Sequence, residues 1–369
     1  MRIGIDMHVL QGMRQGSRTY LEGIYGELLR FPSAHQWHCM VNSTDAWSPP
    51  IVGKNIYWDE IGAHSRLGRF LYGLNRASRD GRLDCIHTTY VLPAKKRTKE
   101  VVTIHDTLFE SHPEYFDLKK RMALKYIVKR SAQRADAITT ISEFSKNEIA
   151  TRYGIDPRKI FLTTCGFDSK IFKPGNPEES KEITNSTYGL DDFILTVGRL
   201  EPRKNFSNLI RAYSNLRQKD KHYPKLVIVG AKDFGTEEVM RCIKTYGVEQ
   251  EVIHLENVSN ENLAHLYRAA RLFVFPSFAE GFGIPLVEAM ACGCPIASSG
   301  TTAMKEVISD GCGVLFEPRD PDSIQAAMDR IIQNPEDAQR LVAAGYLAVT
   351  QFTWSRGAKV LLDVFDQLS

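Results

Sequence analysis

Two stretches of this chain gather residue types that can do chemistry. Val197-Gly198-Arg199-Leu200-Glu201-Pro202-Arg203-Lys204-Asn205 leaves an apolar run and opens a helical pattern. A helix start offers free N–H groups and roughly half a positive charge. Arg199 and Lys204 add two cations to the same place, which together would hold a diphosphate. On these residues alone, two solvated surface charges fit as well. The second stretch runs from Phe275 through Pro276-Ser277-Phe278-Ala279-Glu280-Gly281-Phe282-Gly283-Ile284-Pro285 to Met290. Its glycines let backbone amides approach a ligand, and Pro285 stands near a helix start, where its missing N–H costs little. Glu280 in the loop and Glu288 one turn inside the helix could both accept hydrogen bonds from sugar hydroxyls. The plainer alternative makes Glu280 a helix cap and Glu288 a surface acid, although Leu286, Val287, Ala289 and Met290 around Glu288 argue for burial.

Both stretches need a buried strand to carry them, because ligands of parallel sheets bind beyond the carboxyl ends of the strands. Apolar runs of strand length recur along the whole chain. In the first half they are Ile3 to Asp6, Trp37 to Val41, Cys85 to His87, Val101 to His105, Ala137 to Thr140 and Ile160 to Thr163. In the second they are Phe193 to Val197, Lys225 to Val229, Val252 to Leu255, Leu272 to Phe275, Ile296 to Ser298 and Val314 to Phe316. Amphipathic helical patterns separate them, as in Ser17 to Arg30, Leu67 to Arg79, Asp117 to Gln133 and Glu143 to Arg152. Strand and helix in alternation imply α/β architecture with doubly wound parallel sheets, here two Rossmann-like lobes. The expected division is 1–170 and 171–352, with a hinge at Asp168 to Asp192, where Lys173-Pro174-Gly175-Asn176-Pro177-Glu178-Glu179 carries turn chemistry. The last helix, from Trp354, has Val360, Leu361, Val364, Phe365 and Leu368 on one stripe and must pack on something.

Composition agrees with two domains. The chain has 369 residues, 43% hydrophobic and 25% charged, too many for one ordinary core and too apolar for disorder. No stretch reaches the roughly 18 apolar residues of a membrane span, and the acid in Met1-Arg2-Ile3-Gly4-Ile5-Asp6 argues against a signal peptide, so a cytosolic protein is expected. Seven cysteines without a Cys-x-x-Cys pair read as thiols, with neither disulfides nor zinc. Asp320-Pro321-Asp322 has the Asp-x-Asp form that can bind a metal, but with Pro where a helix begins, Asp320 reads better as an N-cap. Gly281-Phe282-Gly283 and Gly311-Cys312-Gly313 lack the third glycine of a dinucleotide fingerprint, so a nicotinamide enzyme is unsupported.

The spaced residues Gly198-Arg199-Leu200, Lys204-Asn205, Ser277, Glu280-Gly281-Phe282-Gly283-Ile284-Pro285, Glu288-Ala289-Met290-Ala291, Gly293 and Pro295 resemble the retaining glycosyltransferases of the family-4 type. The resemblance covers essentially the whole chain and implies the GT-B fold, two lobes facing a central cleft, with the terminal helix of residues 353–369 crossing back to the first lobe. It also implies the roles. Arg199 and Lys204 match the pair that holds the donor diphosphate and stabilises the leaving group. Glu280 matches the acid on the donor sugar, Gly281, Phe282, Gly283 and Ile284 the loop beneath that sugar and its phosphate, and Glu288 the acid on the ribose. His105-Asp106 matches a pair whose histidine lies near the reacting sugar, so His105, Glu280, Arg199 and Lys204 form the implied catalytic set. Gly12, Gly16 and Arg18 fall where relatives carry a glycine-rich loop near the donor phosphate, although Gly12-Met13-Arg14-Gln15-Gly16 is not their compact double glycine. The implied reaction moves a hexose, by preference mannose from GDP-mannose, to a glycan or lipid-linked hydroxyl in surface polysaccharide synthesis, with no metal and no other cofactor. A UDP-sugar donor is the nearest alternative; an epimerase, a phosphorylase or a silent nucleotide-sugar-binding subunit are those of other classes.

Charge is unevenly spread: residues 1 to 170 hold 26 Lys and Arg against 18 Asp and Glu, the remainder 21 against 26. The basic excess centres on Arg66, Arg69, Arg76 and Arg79, on Lys95-Lys96-Arg97, and on Lys119, Lys120, Arg121, Lys125, Lys129 and Arg130, which share a helix with Leu124, Ile127 and Val128. Such helices can lie on an anionic membrane face, yet the same apolar stripe is needed to cover the sheet. Nucleic acid is not expected as a partner, since no binding module accompanies the charge.

Overall fold

The computed structural model describes residues 1–11, 16–42, 53–61, 68–69, 73–79, 81–308 and 311–369. They form two compact units, Met1–Gly166 with Thr353–Ser369, and Phe167–Phe352. The first holds β1 (Arg2–Asp6), β2 (Gln36–Val41), β3 (Ile56–Glu60), β4 (Cys85–Thr89), β5 (Lys99–Thr103), β6 (Ala137–Thr140) and β7 (Ile160–Leu162). Their order is β3-β2-β1-β4-β5-β6-β7, with every described pairing parallel. The second holds β8 (Phe193–Val197), β9 (Lys225–Val229), β10 (Val252–Leu255), β11 (Leu272–Phe275), β12 (Ile296–Ser299) and β13 (Val314–Phe316). They run β10-β9-β8-β11-β12-β13, again parallel. In each unit the strand order reverses at its first strand, leaving a crevice between β1 and β4 and another between β8 and β11.

The interiors differ. In the second unit, Ile194, Leu226, Ile228, Leu272 and Val274 pack under Leu209, Tyr213, Ile324 and Met328 of the helices Phe206–Lys219 and Pro321–Gln333. The first unit has an apolar layer of Val102, Ile104 and Ile138 against Val128, Ala132 and Ile149, but its other face threads hydrogen bonds through the sheet. The Tyr25 hydroxyl bonds His87 Nδ1, His87 Nε2 lies 2.7 Å from Thr103 Oγ1, and Thr103 Oγ1 lies 2.7 Å from Thr139 Oγ1. Burial pushes the His87 imidazole down to about 3, so it is neutral in this chain.

The terminal helix Trp354–Gln367 belongs to the first unit, packed on the helix Gly16–Leu28. Two glycines admit it. A Cβ at Gly23 would stand 2.2 Å from the Trp354 ring, and one at Gly166 2.3 Å from the Trp354 backbone nitrogen. His35 Nε2 meets Asp366 at 2.9 Å and Trp37 packs edge-on to Phe365 at 5.8 Å, fixing the far end.

Three sequence expectations need correction. β3 carries a largely exposed pattern and lacks the apolar run of its neighbours, so it escaped the pattern search. The supposed turn-rich hinge contains the helix Pro177–Tyr188, started by Asn176, whose side chain accepts from the Glu178 N–H, and by Pro177 at the first helical position. Arg69 is not a surface cation: it is buried. Arg66 lies outside the described residues, and of the expected helix Leu67 to Arg79 the structure describes the turn Leu74–Ala77. Among the described residues no helix is long and apolar enough to cross a membrane.

Because the indole of Trp354 occupies the space a Cβ at Gly23 would need, Gly23→Ala should lower stability by roughly 1–3 kcal/mol, read from denaturant unfolding of the full chain. Unchanged stability would show that the terminal helix is not clamped there.

Candidate functional site

The two chemistry-bearing segments leave β8 and β11, the strands on either side of the second unit's crevice. After β8 a single helical turn, Pro202–Lys204, places consecutive cations on one carboxylate. Lys204 Nζ donates to Glu280 Oε1 at 2.7 Å, and Arg203 Nη1 meets Glu280 Oε2 at 2.6 Å. Burial alone would push the Glu280 carboxyl up, but Arg203 and Lys204 outweigh it and hold it down at about 2. The acid is therefore ionised at any physiological pH, and because Arg203 also pairs with Glu201 at 2.7 Å, two acids and two cations balance in the cluster. Lys204 also lies 5.3 Å over the Phe275 ring, with its aliphatic stem on Gly198.

Backbone ties hold the two loops together. Phe278 N–H donates to the Arg203 carbonyl at 2.9 Å, and Glu280 N–H to Thr302 Oγ1 at 3.0 Å. Asn205 sits in the left-handed region at φ 58° and starts the helix Phe206–Lys219. Its Nδ2 donates to the carbonyls of Pro276 at 2.9 Å and Pro318 at 2.7 Å, joining the loops after β8, β11 and β13. Gly230, after β9, comes so near that a Cβ there would fall 1.9 Å from the Gly198 carbonyl oxygen.

Arg199 is not one of the cations on Glu280. It pairs with Asp233, after β9, at 2.7 Å and is 42% exposed. The loop Gly281, Phe282, Gly283 and Ile284 leads into the helix Ile284–Cys292, with Gly283 at φ 112° as the residue before it. Glu288, in the middle of that helix, accepts from the Tyr267 hydroxyl at 3.1 Å. Burial raises its carboxyl to about 7, with the Tyr267 bond acting weakly the other way. Two glutamates from one motif thus carry opposite pKa shifts.

In the first unit His105 lies two residues beyond β5, buried, with neither ring nitrogen hydrogen-bonded. Tyr20 packs edge-on at 4.7 Å and Tyr90 at 5.6 Å. Burial lowers the imidazole to about 4, so it is neutral, with one donor and one acceptor uncommitted. Asp106 accepts from the Leu108 N–H at 3.0 Å and so serves the turn after it. Gly16 opens the helix Gly16–Leu28, with space where its Cβ would be, while Arg18 pairs with Glu22 at 2.7 Å. Gly12 lies outside the described residues.

Asp320 caps the helix Pro321–Gln333, accepting from the Asp322 N–H at 3.0 Å, as its place before Pro predicts. Among the described residues no cluster of three His, Cys, Asp or Glu side chains could hold a metal. The described cysteines are all free thiols. Sequence reasoning missed Arg203 and Asn205. The signal for Arg203 was its place beside Lys204 in the turn that Pro202 opens after β8.

The family model for glycosyl transferases group 1 matches residues 178–348 and that for glycosyltransferase family 4 residues 44–170. The O-antigen chain mannosyltransferase B of Escherichia coli is 31% identical over 272 residues, 73% of this chain and 71% of the relative. The chain belongs to the group 1 and family 4 glycosyltransferases. A serotype-specific mannosyltransferase, WbdA of Escherichia coli, is 30% identical over 64% of this chain, which spans 29% of that larger relative. Sucrose-phosphate synthase of Thermosynechococcus elongatus superposes with a TM-score of 0.80 at 21% identity, covering 100% of this chain and 98% of its own. Anabaena HepE gives 0.76 at 18%, covering 99% of each. The two Rossmann-like units of this glycosyltransferase are those of the GT-B fold.

In this glycosyltransferase the raised Glu288 carboxyl opposes stability as it ionises. Its folded pKa lies above the unfolded value, so the unfolded state binds fewer protons between about pH 4.5 and 7, and its contribution falls as pH rises through that window. Glu288→Gln should remove this decline, and the stability difference between variant and parent should grow across that range in denaturant titrations; a pH-independent difference would show that the group titrates normally.

Proposed function

We propose that this glycosyltransferase moves a mannosyl group from GDP-mannose to a hydroxyl of a growing surface glycan or its lipid-linked precursor, with retention at the anomeric carbon and without a metal. The observation that carries the reading is the buried Glu280 triple with Arg203 and Lys204, set at the crevice where the helix Ile284–Cys292 begins. The named relatives that are mannosyltransferases support the choice of sugar.

In this reading Lys204, Arg199 and the amides from Gly281 to Ile284 receive the diphosphate. The bond from the sugar C1 to the phosphate oxygen breaks, and the charge on that oxygen grows against fixed cations and a helix N-terminus, which need no reorganisation during the reaction. The acceptor oxygen bonds C1 on the same face, and its proton passes to the departing phosphate oxygen. Glu280, permanently ionised, takes hydrogen bonds from sugar hydroxyls. Neutral His105 offers one donor and one acceptor to the sugar, and a ligand would satisfy the two ring nitrogens that have no partner among the described residues. Glu288 receives the ribose hydroxyls, which favour its ionised form, so donor binding should release a proton near pH 7.

Three experiments bear on this reading. A thermal-shift screen should show GDP and GDP-mannose raising the melting temperature more than UDP or UDP-sugars, because only a ligand of the folded state stabilises it; preference for uridine nucleotides would overturn the donor. Lys204→Ala should weaken nucleotide binding by about tenfold or more, since a charged hydrogen bond is worth roughly 1.5–3 kcal/mol, and unchanged affinity would remove Lys204 from the phosphate site. Transfer should persist in excess EDTA; loss of activity restored by manganese would reject the metal-free mechanism.

A further inference from the structure

A buried histidine is commonly held by a hydrogen bond on one ring nitrogen, which fixes its tautomer and the direction of the other nitrogen. His105 has no such bond among the described residues, and both its nitrogens are buried. What surrounds the imidazole is aromatic: the Tyr20 ring stands at 4.7 Å with an interplanar angle of 79°, the Tyr90 ring at 5.6 Å with 69°. Tyr20 is itself fixed, its hydroxyl 2.6 Å from Thr163 Oγ1 and its ring edge-on to Trp354 at 6.3 Å.

Tyr90 is held in another way. It follows β4 at φ 63°, and the Val91 N–H donates back across it to the Thr89 carbonyl at 2.8 Å. A three-residue turn closed at positive φ is the rare, strained form of the γ-turn, and a bulky side chain there is an outlier. Among the described residues, four besides glycines have positive φ. Asn205 and Asn257 are of the type that tolerates it. Thr302 accepts from the Glu280 N–H in the candidate site, which leaves Tyr90 to be explained. Strain of this kind persists only where the surroundings over-determine it, and it gathers at sites that work. Here the Tyr90 N–H donates to the Thr103 carbonyl at 2.8 Å, at the end of β5 and two residues before His105. One strand end therefore carries both the turn and the imidazole. Glycine would adopt the same turn without strain, but it would bring no ring.

We propose that Tyr90 is a positioning residue, kept in this strained turn so that its ring and that of Tyr20 fix the His105 imidazole and leave both nitrogens to a ligand. Packing takes the place of a hydrogen bond because a bond to protein would consume one of the two nitrogens. The positioning stands on the geometry; that the ligand is a sugar rests on the function proposed above.

Three measurements on the full chain test it. With isotope-labelled histidine, the His105 ring signal is identified by its absence in His105→Gln. Its nuclear relaxation should show an imidazole as rigid as the backbone in the parent and in Tyr90→Phe, and a reorienting one in Tyr90→Ala; a rigid imidazole in Tyr90→Ala would overturn the proposal. Release of GDP from GDP-mannose, with mannobiose as acceptor, should fall by about tenfold or more in kcat in Tyr90→Ala, with KM for GDP-mannose near the parent value and with recovery in Tyr90→Phe. A loosened imidazole with parental turnover in both Tyr90→Ala and His105→Gln would support the positioning and remove the sugar from it. A parent inactive with these substrates would fault the proposed donor or acceptor, while relaxation still decides the role of Tyr90. Finally, Tyr90→Gly should melt about 2 °C or more above Tyr90→Ala, since both lack the ring and only alanine keeps the strain; equal melting temperatures would overturn the strained turn.

Discussion

A carboxylate removed from water needs positive charge beside it, and at the loop after β11 Glu280 is met on both oxygens, by Lys204 and by Arg203. The geometry of the surrounding loops follows from that arrangement. To reach Glu280, the chain leaving β8 must turn at once through Pro202–Lys204, which aligns the helix Phe206–Lys219 with the loop of the neighbouring strand. The same approach lets Phe278 bond the Arg203 carbonyl, and it presses Gly230 onto Gly198, where no side chain fits. Loss of either cation would leave a buried charge half compensated, which costs far more than the intact pair contributes.

Much of this was legible in the sequence, and for a definable reason. Strands buried on both faces read as unbroken apolar runs, so the inner strands Phe193–Val197, Lys225–Val229 and Leu272–Phe275 agree with the sequence reading residue for residue, and the partly exposed edge strands Val252–Leu255 and Val314–Phe316 keep enough apolar residues to do the same. β3 stands at a sheet edge, where such runs are not required. The helix Pro177–Tyr188 has few apolar residues, and its Asn176-Pro177 start is also turn chemistry; only tertiary packing against the helix Asn260–Ala269 tells the two apart. Lys204 and Glu280 were visible as residue types at strand ends. Their ion pair spans 76 positions of sequence and belongs to strand order, which spacing does not encode.

Arg69 marks another limit. Its position beside other arginines suggests a surface helix, yet its guanidinium is buried against the Asp6 carboxylate at the end of β1 and bonds the Met40 carbonyl of β2 at 3.3 Å. Burial would raise Asp6, but His8 and Arg69 hold it down at about 2. A buried arginine costs less than its desolvation suggests when its planar fork finds a carboxylate and a carbonyl together, and only the folded strand ends supply both. The two units thus secure their crevices by similar means, an acid at the end of a central strand or in the loop after one, gripped by cations from neighbouring segments.

Asn205 commits the hydrogens of one side-chain amide to the carbonyls of Pro276 and Pro318. That commitment makes the three loops depend on its remaining an amide. Deamidation to aspartate would turn a donor into a charged acceptor facing two carbonyl oxygens, and three loops would be pushed apart by a change of a single mass unit. The residue that follows is Phe206 in the first turn of a helix rather than a glycine, and its backbone nitrogen is not free to swing onto the amide carbon. The bond that joins the loops is protected by the same helix that it starts.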